Sequence, residues 1–88
     1  MRAKKVIERW FVYMVECSDQ SIYTGISNDV EARIAKHNSG EGAKYTKGRT
    51  PVILRAQFEY KNRSEASKAE FALKRLSKEE KLRLIKQQ

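Results

Sequence analysis

The stretch WFVYMVECSDQSIYTGI, residues 10–26, predicts the architecture of this chain because it holds two strands and a short turn. Trp10–Cys17 are aromatic and β-branched, a composition typical of buried strands, and Ser21–Ile26 form a second such run. The polar residues Ser18–Gln20 between them favour a turn. The segment is therefore predicted to be a β-hairpin.

The length of the hairpin turn decides whether its two tyrosines meet. A two-residue turn places Tyr13 and Tyr23 on opposite faces, whereas a three-residue turn pairs Val15 with Tyr23 and Tyr13 with Gly25. In the second register both hydroxyls project from one face, at diagonal positions about 7 Å apart. Gly25 opposite Tyr13 then leaves a gap beside the ring that would let a substrate backbone approach.

The rest of the chain carries signals for three helices and one more strand. Each helix opens on a capping residue that is followed three positions later by Glu. The order β-β-α-β-α-α predicts an α+β fold, a small, three-stranded, mostly antiparallel sheet flanked by three helices. The predicted ranges are a helix from Asn28 to about Asn38, an exposed basic loop at 43–51, a strand at 52–60, a helix from Asn62 to about Leu76 and a helix from Ser77 onward.

Length and charge narrow the kind of protein. The 88 residues predict a single domain over 1–88, with its core at about 10–85 and residues 1–8 loosely ordered. Lys and Arg number 19 against 11 Asp and Glu, a net charge of +8. Such an excess favours nucleic acid as the partner, because each phosphate contact releases condensed counterions. Solubility or an acidic protein partner are the alternatives.

The cysteine content and the hydropathy of the chain exclude several other classes of protein. Cys17 is the only cysteine, which rules out an intrachain disulfide and a cysteine-cluster metal site. The N-terminus lacks the apolar run of a signal peptide, and no stretch approaches the about 20 apolar residues of a membrane span. The predicted compartment is the cytoplasm, with no membrane partner.

Three polar side chains fall on helix faces that should be apolar. Arg33 and His37 are i, i+4 neighbours on the face that Val30 defines. Glu70 lies at the margin of the second helix's apolar stripe, in line with Leu73. These residues line a functional cleft or, alternatively, are a snorkelling arginine, a satisfied core histidine and an ion-paired carboxylate.

Taken together, the two hairpin tyrosines and these three polar residues resemble the GIY-YIG nuclease family. Phe11–Tyr13 stands where the family has its GIY element and Tyr23–Gly25 where it has YIG. Arg33 and Glu70 follow at family spacings. The chain is especially similar to the small single-domain bacterial branch and to the N-terminal nuclease domain of the UvrC excision-repair protein. The elements shared with that branch are Tyr23–Ile26, His37–Gly40 and Ala43–Thr46.

The resemblance implies a metal-dependent endonuclease that hydrolyses phosphodiester bonds. Glu70 would hold one divalent cation, Mg²⁺ or Mn²⁺, and Arg33 would clamp the scissile phosphate. Tyr13 is favoured as the base that activates water, with Tyr23 as its positioning partner. His37 would assist either tyrosine or contact phosphate, and Gly25 is a structural residue of the site.

The resemblance also suggests a nucleic-acid-binding loop and a cellular role. The basic loop at 43–51 would contact the nucleic-acid backbone and stack on bases. The alternative is that this loop is only a mobile surface segment. DNA is favoured over RNA, in repair, recombination or turnover, with a protein partner supplying specificity. Phe11-Val12 replace Gly-Ile, Thr24 replaces the middle Ile of YIG, and the last helix lacks the asparagine of many members. The predicted binding residues are Lys44, Tyr45, Lys47 and Arg49.

Two other functions compete with the nuclease. A non-catalytic nucleic-acid-binding module would need the basic loop but would have no reason to keep Glu70, which repels phosphate unless a cation lies between them. A domain for protein contacts would use its charge only for solubility.

Overall fold

The computed structural model describes residues 9–88, so residues 1–8, predicted to be loosely ordered, lie outside the described part. The observed order confirms the predicted β-β-α-β-α-α arrangement, with one short 3₁₀ helix added before the third strand. None of the helices within residues 9–88 is long and apolar enough to cross a membrane. The elements are β1 (Trp10–Glu16), β2 (Ile22–Ser27), α1 (Val30–Asn38), the 3₁₀ helix Lys44–Thr46, β3 (Ile53–Tyr60), α2 (Arg63–Lys74) and α3 (Lys78–Lys86).

The sheet has the order β2-β1-β3, and both strand pairs are antiparallel. β1 is central because its residues 12–15 are apolar or aromatic without interruption, which suits a strand covered on both faces. Its side chains alternate between two layers. β1 therefore supplies both the core and, as shown below, the floor of the candidate site.

The two faces of β1 pack against different helices. Tyr13 and Val15 belong to a core cluster with Val30 of α1, on what we call the α1 face. Met14 belongs to a second cluster, packed against Leu73 of α2 and Ile85 of α3, on what we call the α2/α3 face. The helices therefore cover both faces of a three-stranded sheet.

Helix caps follow the predicted chemistry with one shift. Asp29, not Asn28, caps α1: its side chain accepts a hydrogen bond from the Ala32 amide at 3.2 Å. Asn62 caps α2 as predicted. Ser77 and Glu80 form the predicted capping box of α3. The shift at α1 arises because Asn and Asp are equally good caps and adjacent in sequence.

Candidate active site

The two hairpin tyrosines meet on the α1 face. Tyr13 pairs with Gly25 and Val15 with Tyr23, which confirms the register predicted for a three-residue turn. The Tyr13 and Tyr23 ring centroids lie 6.4 Å apart. Tyr13 is 1% exposed, whereas Tyr23 is partly exposed. The pair thus has one buried and one accessible member.

Gly25 is required by the Tyr13 ring rather than by a substrate. A Cβ atom at position 25 would lie 2.7 Å from Tyr13 Oη and 2.8 Å from its Cζ. The phenol therefore occupies the space over Gly25, and the expectation of an open gap for a substrate backbone is wrong. Glycine permits this close approach because it has no side chain.

His37 lies behind Tyr13 and is fully buried. Its Nε2 is 2.8 Å from Tyr13 Oη, and its Nδ1 is 2.7 Å from Thr46 Oγ1. The Tyr23 ring packs on the imidazole edge-on, with centroids 5.4 Å apart. Burial, and then the charge of Arg33, lower the pKa of His37, so the ring is neutral at physiological pH.

The segment after α1 closes over His37. Thr46 is fully buried, and its Oγ1 donates to the Ala43 carbonyl at 2.9 Å in the same turn. A Cβ atom on Gly42 would lie 2.7 Å from His37 Cα, so only glycine fits there. The loop at 43–51, predicted to be exposed, is therefore partly buried, because Thr46 packs against His37. Thr46 had no predicted role beyond its place in the Ala43–Thr46 element, because its burial depends on a histidine nine positions earlier.

Two opposite charges act on the Tyr13 phenol. Burial and Tyr23 raise the pKa of Tyr13 to about 12, and Glu70 adds to the rise while Arg33 opposes it. Arg33 and Glu70 come from different helices, α1 and α2. Both predicted residues therefore lie within electrostatic reach of the same hydroxyl. Within residues 9–88, Arg33 has no ion-pair partner.

Glu70 forms an ion pair on the tyrosine side of the molecule. Lys74 Nζ lies 3.3 Å from the Glu70 carboxylate and 5.6 Å from the centroid of the Tyr23 ring. The ion-pair alternative for Glu70 is thus observed, and it coexists with a position beside the tyrosines. Lys74 is a neighbour of the site that the sequence did not single out.

The predicted binding residues separate into an engaged pair and a free pair. Tyr45 stacks on Tyr23, with centroids 5.7 Å apart, and the Arg49 guanidinium lies 4.3 Å from the Tyr45 centroid. Arg49 also pairs with Asp19 at 2.9 Å. Lys44 and Lys47 are exposed. Tyr45 and Arg49 therefore extend the tyrosine cluster, whereas the two lysines face solvent.

The chemistry of the donors decides which metal the site suits. Within residues 9–88, no three His, Cys, Asp or Glu side chains gather as a metal cluster. The Glu70 side chain is 23% exposed, so its carboxylate is reachable. Mg²⁺ keeps several waters and often takes only one or two carboxylates plus substrate phosphate oxygens. A single carboxylate fits such an ion and does not fit zinc, which needs three or four protein ligands.

Comparison with known proteins shows the family to which the chain belongs. Residues 9–83 match the model of the GIY-YIG catalytic domain, a nuclease family, and the chain belongs to that family. A UPF0213 protein of Staphylococcus aureus is 56% identical over 77 residues, which cover 88% of this chain and 94% of the relative.

Two solved structures are also similar to this chain. The UPF0213 protein BH0048 from Bacillus halodurans is 44% identical, with a TM-score of 0.59, covering 91% of this chain and 85% of the other. Protein EF2693 from E. faecalis is 39% identical, with a TM-score of 0.61, covering 99% and 90%. The chain is thus similar to small GIY-YIG proteins over nearly their whole length.

Proposed function

We propose that this protein hydrolyses phosphodiester bonds of nucleic acid with the help of one divalent cation, Mg²⁺ or Mn²⁺. The observation that carries the proposal is the convergence of three groups on Tyr13. Its hydroxyl is hydrogen-bonded to His37, and the charges of Arg33 and Glu70 both act on its pKa. A phenol, an imidazole, a guanidinium and a carboxylate supply a base, a phosphate clamp and a metal ligand. Burying polar and charged groups costs free energy, which favours a chemical use for the set as a whole.

Arg33 is suited to hold the scissile phosphate. It is partly buried, and within the described residues no carboxylate neutralises it. A guanidinium presents a planar fork that bonds two phosphate oxygens at once. Such a fork stabilises the negative charge that grows on these oxygens as water attacks.

Tyr13 is the better candidate for activating water. Its hydroxyl has an imidazole within hydrogen-bonding distance, while no hydrogen bond to Tyr23 is observed among residues 9–88. A pKa of about 12 leaves Tyr13 almost wholly protonated at neutral pH, so its hydroxyl can act as a base only if a neighbouring group accepts its proton. His37 is that acceptor, and Tyr23 positions the ring pair by packing on His37.

Glu70 would hold the cation. When bound there, a divalent ion polarises the phosphate and stabilises the leaving oxygen. Lys74 competes for the same carboxylate, because its Nζ already lies 3.3 Å away. An i, i+4 ion pair on a helix is worth only about 0.3–0.5 kcal/mol, so a divalent cation can displace the ammonium group.

Nucleic acid would cross a basic surface beside the tyrosines. Lys44 and Lys47 are exposed there, and a groove of about 250 Å³ is bordered by Tyr45, Lys78 and Lys81. A larger groove of about 570 Å³ is lined by residues of α3 together with Glu16 and Arg55, and no tyrosine lines it. DNA remains our favoured substrate, in repair, recombination or turnover in the cytoplasm, with specificity supplied by a protein partner.

The ion pair at Glu70 favours a second candidate, a nucleic-acid-binding module without catalysis. In that case Lys74 would neutralise Glu70 permanently, and the buried Tyr13–His37 pair would serve only the fold. The two candidates differ in whether a divalent cation changes the nucleic acid or leaves it intact.

The test is a cleavage panel of duplex, branched and single-stranded DNA and RNA with Mg²⁺ or Mn²⁺. We expect Glu70→Gln to lower kcat at least about 100-fold, because it removes the metal ligand, whereas binding in EDTA stays within about threefold. Glu65→Gln is the matched control on the same helix, since Glu65 pairs with Lys68 away from the tyrosines. Wild-type protein that binds these substrates but leaves all of them intact would establish the binding module instead.

A further inference from the structure

The hydrogen bonds around His37 restrict where its proton lies. Thr46 Oγ1 is 2.9 Å from the Ala43 carbonyl oxygen and 2.7 Å from His37 Nδ1. A carbonyl oxygen only accepts, so the contact with Ala43 requires the hydroxyl proton of Thr46. The contact with Nδ1 then needs a proton on Nδ1. Only the Nδ1–H form of His37 therefore makes both short contacts of Thr46 Oγ1 hydrogen bonds.

One contact argues for the opposite tautomer and is weaker. The Ala43 amide points toward His37 Nδ1 at 3.4 Å, which would suit an unprotonated Nδ1. That distance exceeds the usual range of about 2.7–3.2 Å for such bonds. In that tautomer Thr46 would donate to Nδ1, and its oxygen would face the Ala43 oxygen at 2.9 Å with no proton between them. Two short bonds outweigh one long one.

The Nδ1–H form fixes the direction of the Tyr13 bond. A neutral imidazole with a proton on Nδ1 has a lone pair on Nε2. The 2.8 Å contact is then a bond that the Tyr13 hydroxyl donates to His37 Nε2. In this form Tyr13 donates to His37, His37 donates from Nδ1 to Thr46, and Thr46 donates to the Ala43 carbonyl, so the three side chains form a single chain of hydrogen bonds that runs in one direction.

We propose that Thr46 is a positioning residue that holds His37 in its Nδ1–H form, so that Nε2 is free to receive the proton of Tyr13. The catalytic consequence rests on the nuclease function proposed above. The surrounding chain holds Thr46 in place, because the segment that leads to it packs directly against His37. At Gly42 this contact is so close that a side chain would collide with His37.

The proton transfer balances in two linked steps. Tyr13 Oη gives its proton to His37 Nε2 and takes one from the attacking water. The water oxygen bonds to phosphorus while the ester P–O bond breaks, and the leaving oxygen takes a proton from solvent. His37, now doubly protonated, returns its extra proton to solvent after the reaction. Thr46 accepts from Nδ1–H throughout and does not touch the substrate.

The direct test is ¹⁵N NMR of the His37 ring in the full-length protein at pH 7.5, where the two tautomers give distinct nitrogen shifts. We expect Nδ1–H in wild type and in Thr46→Ser, which keeps the hydroxyl. Thr46→Val is nearly isosteric but cannot accept from Nδ1–H, so the population should move to Nε2–H. A wild-type spectrum with Nε2–H overturns the inference, whether or not the Val variant folds.

Kinetics supply the second readout. Positioned proton transfer contributes about 10²–10⁴-fold to a rate, so Thr46→Val should lower kcat about 10–100-fold, with KM within about twofold. Thr46→Ser should restore most of the loss. A Val variant with the Nε2–H form and the wild-type kcat overturns the proton route. If wild-type protein has the Nδ1–H form but cleaves no substrate, the nuclease function is wrong. The tautomer assignment, and the role of Thr46 in setting it, would still hold.

Discussion

Two buried threonines on opposite faces of the sheet have opposite surroundings. Thr46, on the α1 side, is fully buried and bonds to His37 and Ala43. Thr24 is 2% exposed and lies on the α2/α3 face opposite Met14, where its Oγ1 has no hydrogen-bond partner within residues 9–88. The α1 face thus contains a hydrogen-bonded polar network, whereas the Thr24 hydroxyl on the mainly apolar α2/α3 face has no partner within the described residues.

The difference shows how a chain of 88 residues accommodates both a core and a site. A buried polar group costs free energy unless it is hydrogen-bonded. On the α1 face every buried polar atom of Tyr13 and His37 has a partner, so the network can persist next to the apolar cluster of Val15 and Val30. The other face buries a separate apolar cluster, formed by Met14 and its neighbours, that contains none of these polar groups.

The largest expected effect comes from breaking the network at Tyr13. Tyr13→Phe removes the hydroxyl that donates to His37, and we expect kcat to fall about 10²–10⁴-fold, the usual contribution of a positioned base. The fold should survive, because the ring still packs over Gly25. Single-turnover cleavage measures the rate. A larger loss in Tyr23→Phe than in Tyr13→Phe would move the base to Tyr23.

The next effect separates stability from activity on the α2/α3 face. Met14 is fully buried, so Met14→Ala should lower the free energy of unfolding by about 2–5 kcal/mol through lost burial and a cavity. Urea denaturation measures the loss. The cleavage rate per folded molecule should stay within about threefold, since Met14 points away from Tyr13. Selective loss of activity in a folded Met14→Ala protein would contradict the division between the faces.

A smaller effect is expected from pH. The pKa of His37 lies below its usual 6.5, so the unfolded chain takes up a proton before the native protein does. Stability should therefore be constant above that value and fall as the pH decreases below it toward the native pKa. Tyr13, Tyr23 and Arg33 are the titratable or charged groups around the ring.

An NMR titration of the His37 ring, paired with urea denaturation at pH 7.5 and 5.5, checks this expectation. Asp19 titrates at lower pH than this window because its bonds to Ser21 lower its pKa. A His37 pKa at or above the unfolded value would contradict this expectation, because burial and the charge of Arg33 disfavour the imidazolium form in the resting protein.

The smallest expected effect sharpens the comparison of the threonines. Thr24→Val replaces an unpartnered hydroxyl with a methyl group of similar shape, so we expect the free energy of unfolding to stay unchanged or to rise by up to about 1 kcal/mol. Thr46→Val should instead lower it by about 1–3 kcal/mol, because it strips partners from His37. Thermal unfolding of the two variants side by side decides the matter. Equal losses would mean that Thr24 Oγ1 has a partner after all.

The sequence could specify whatever depends on neighbours along the chain. The composition of β1 and β2 specified the two strands of the hairpin, whereas the choice between the two turn lengths, which brings Tyr13 opposite Gly25, came from the structure. Local capping chemistry determined the starts of α2 and α3. Helical periodicity placed Arg33 and His37 together, because residues four apart share a face. Membership of the GIY-YIG family, visible in the same residues, is confirmed by the match over 9–83.

Tertiary structure alone decided the environment of those residues. Thr46 reaches His37, Lys74 reaches Glu70 beside Tyr23, and Tyr45 stacks on Tyr23. Of these contacts, only the i, i+4 pair of Glu70 and Lys74 is local, and even its position beside Tyr23 depends on how α2 crosses the sheet. Propensity and spacing act within a few residues, whereas burial and proton position depend on which distant segments pack together. The sequence therefore determined which groups the site contains, and the packing decided that Tyr13 is the buried member and Tyr23 the accessible one.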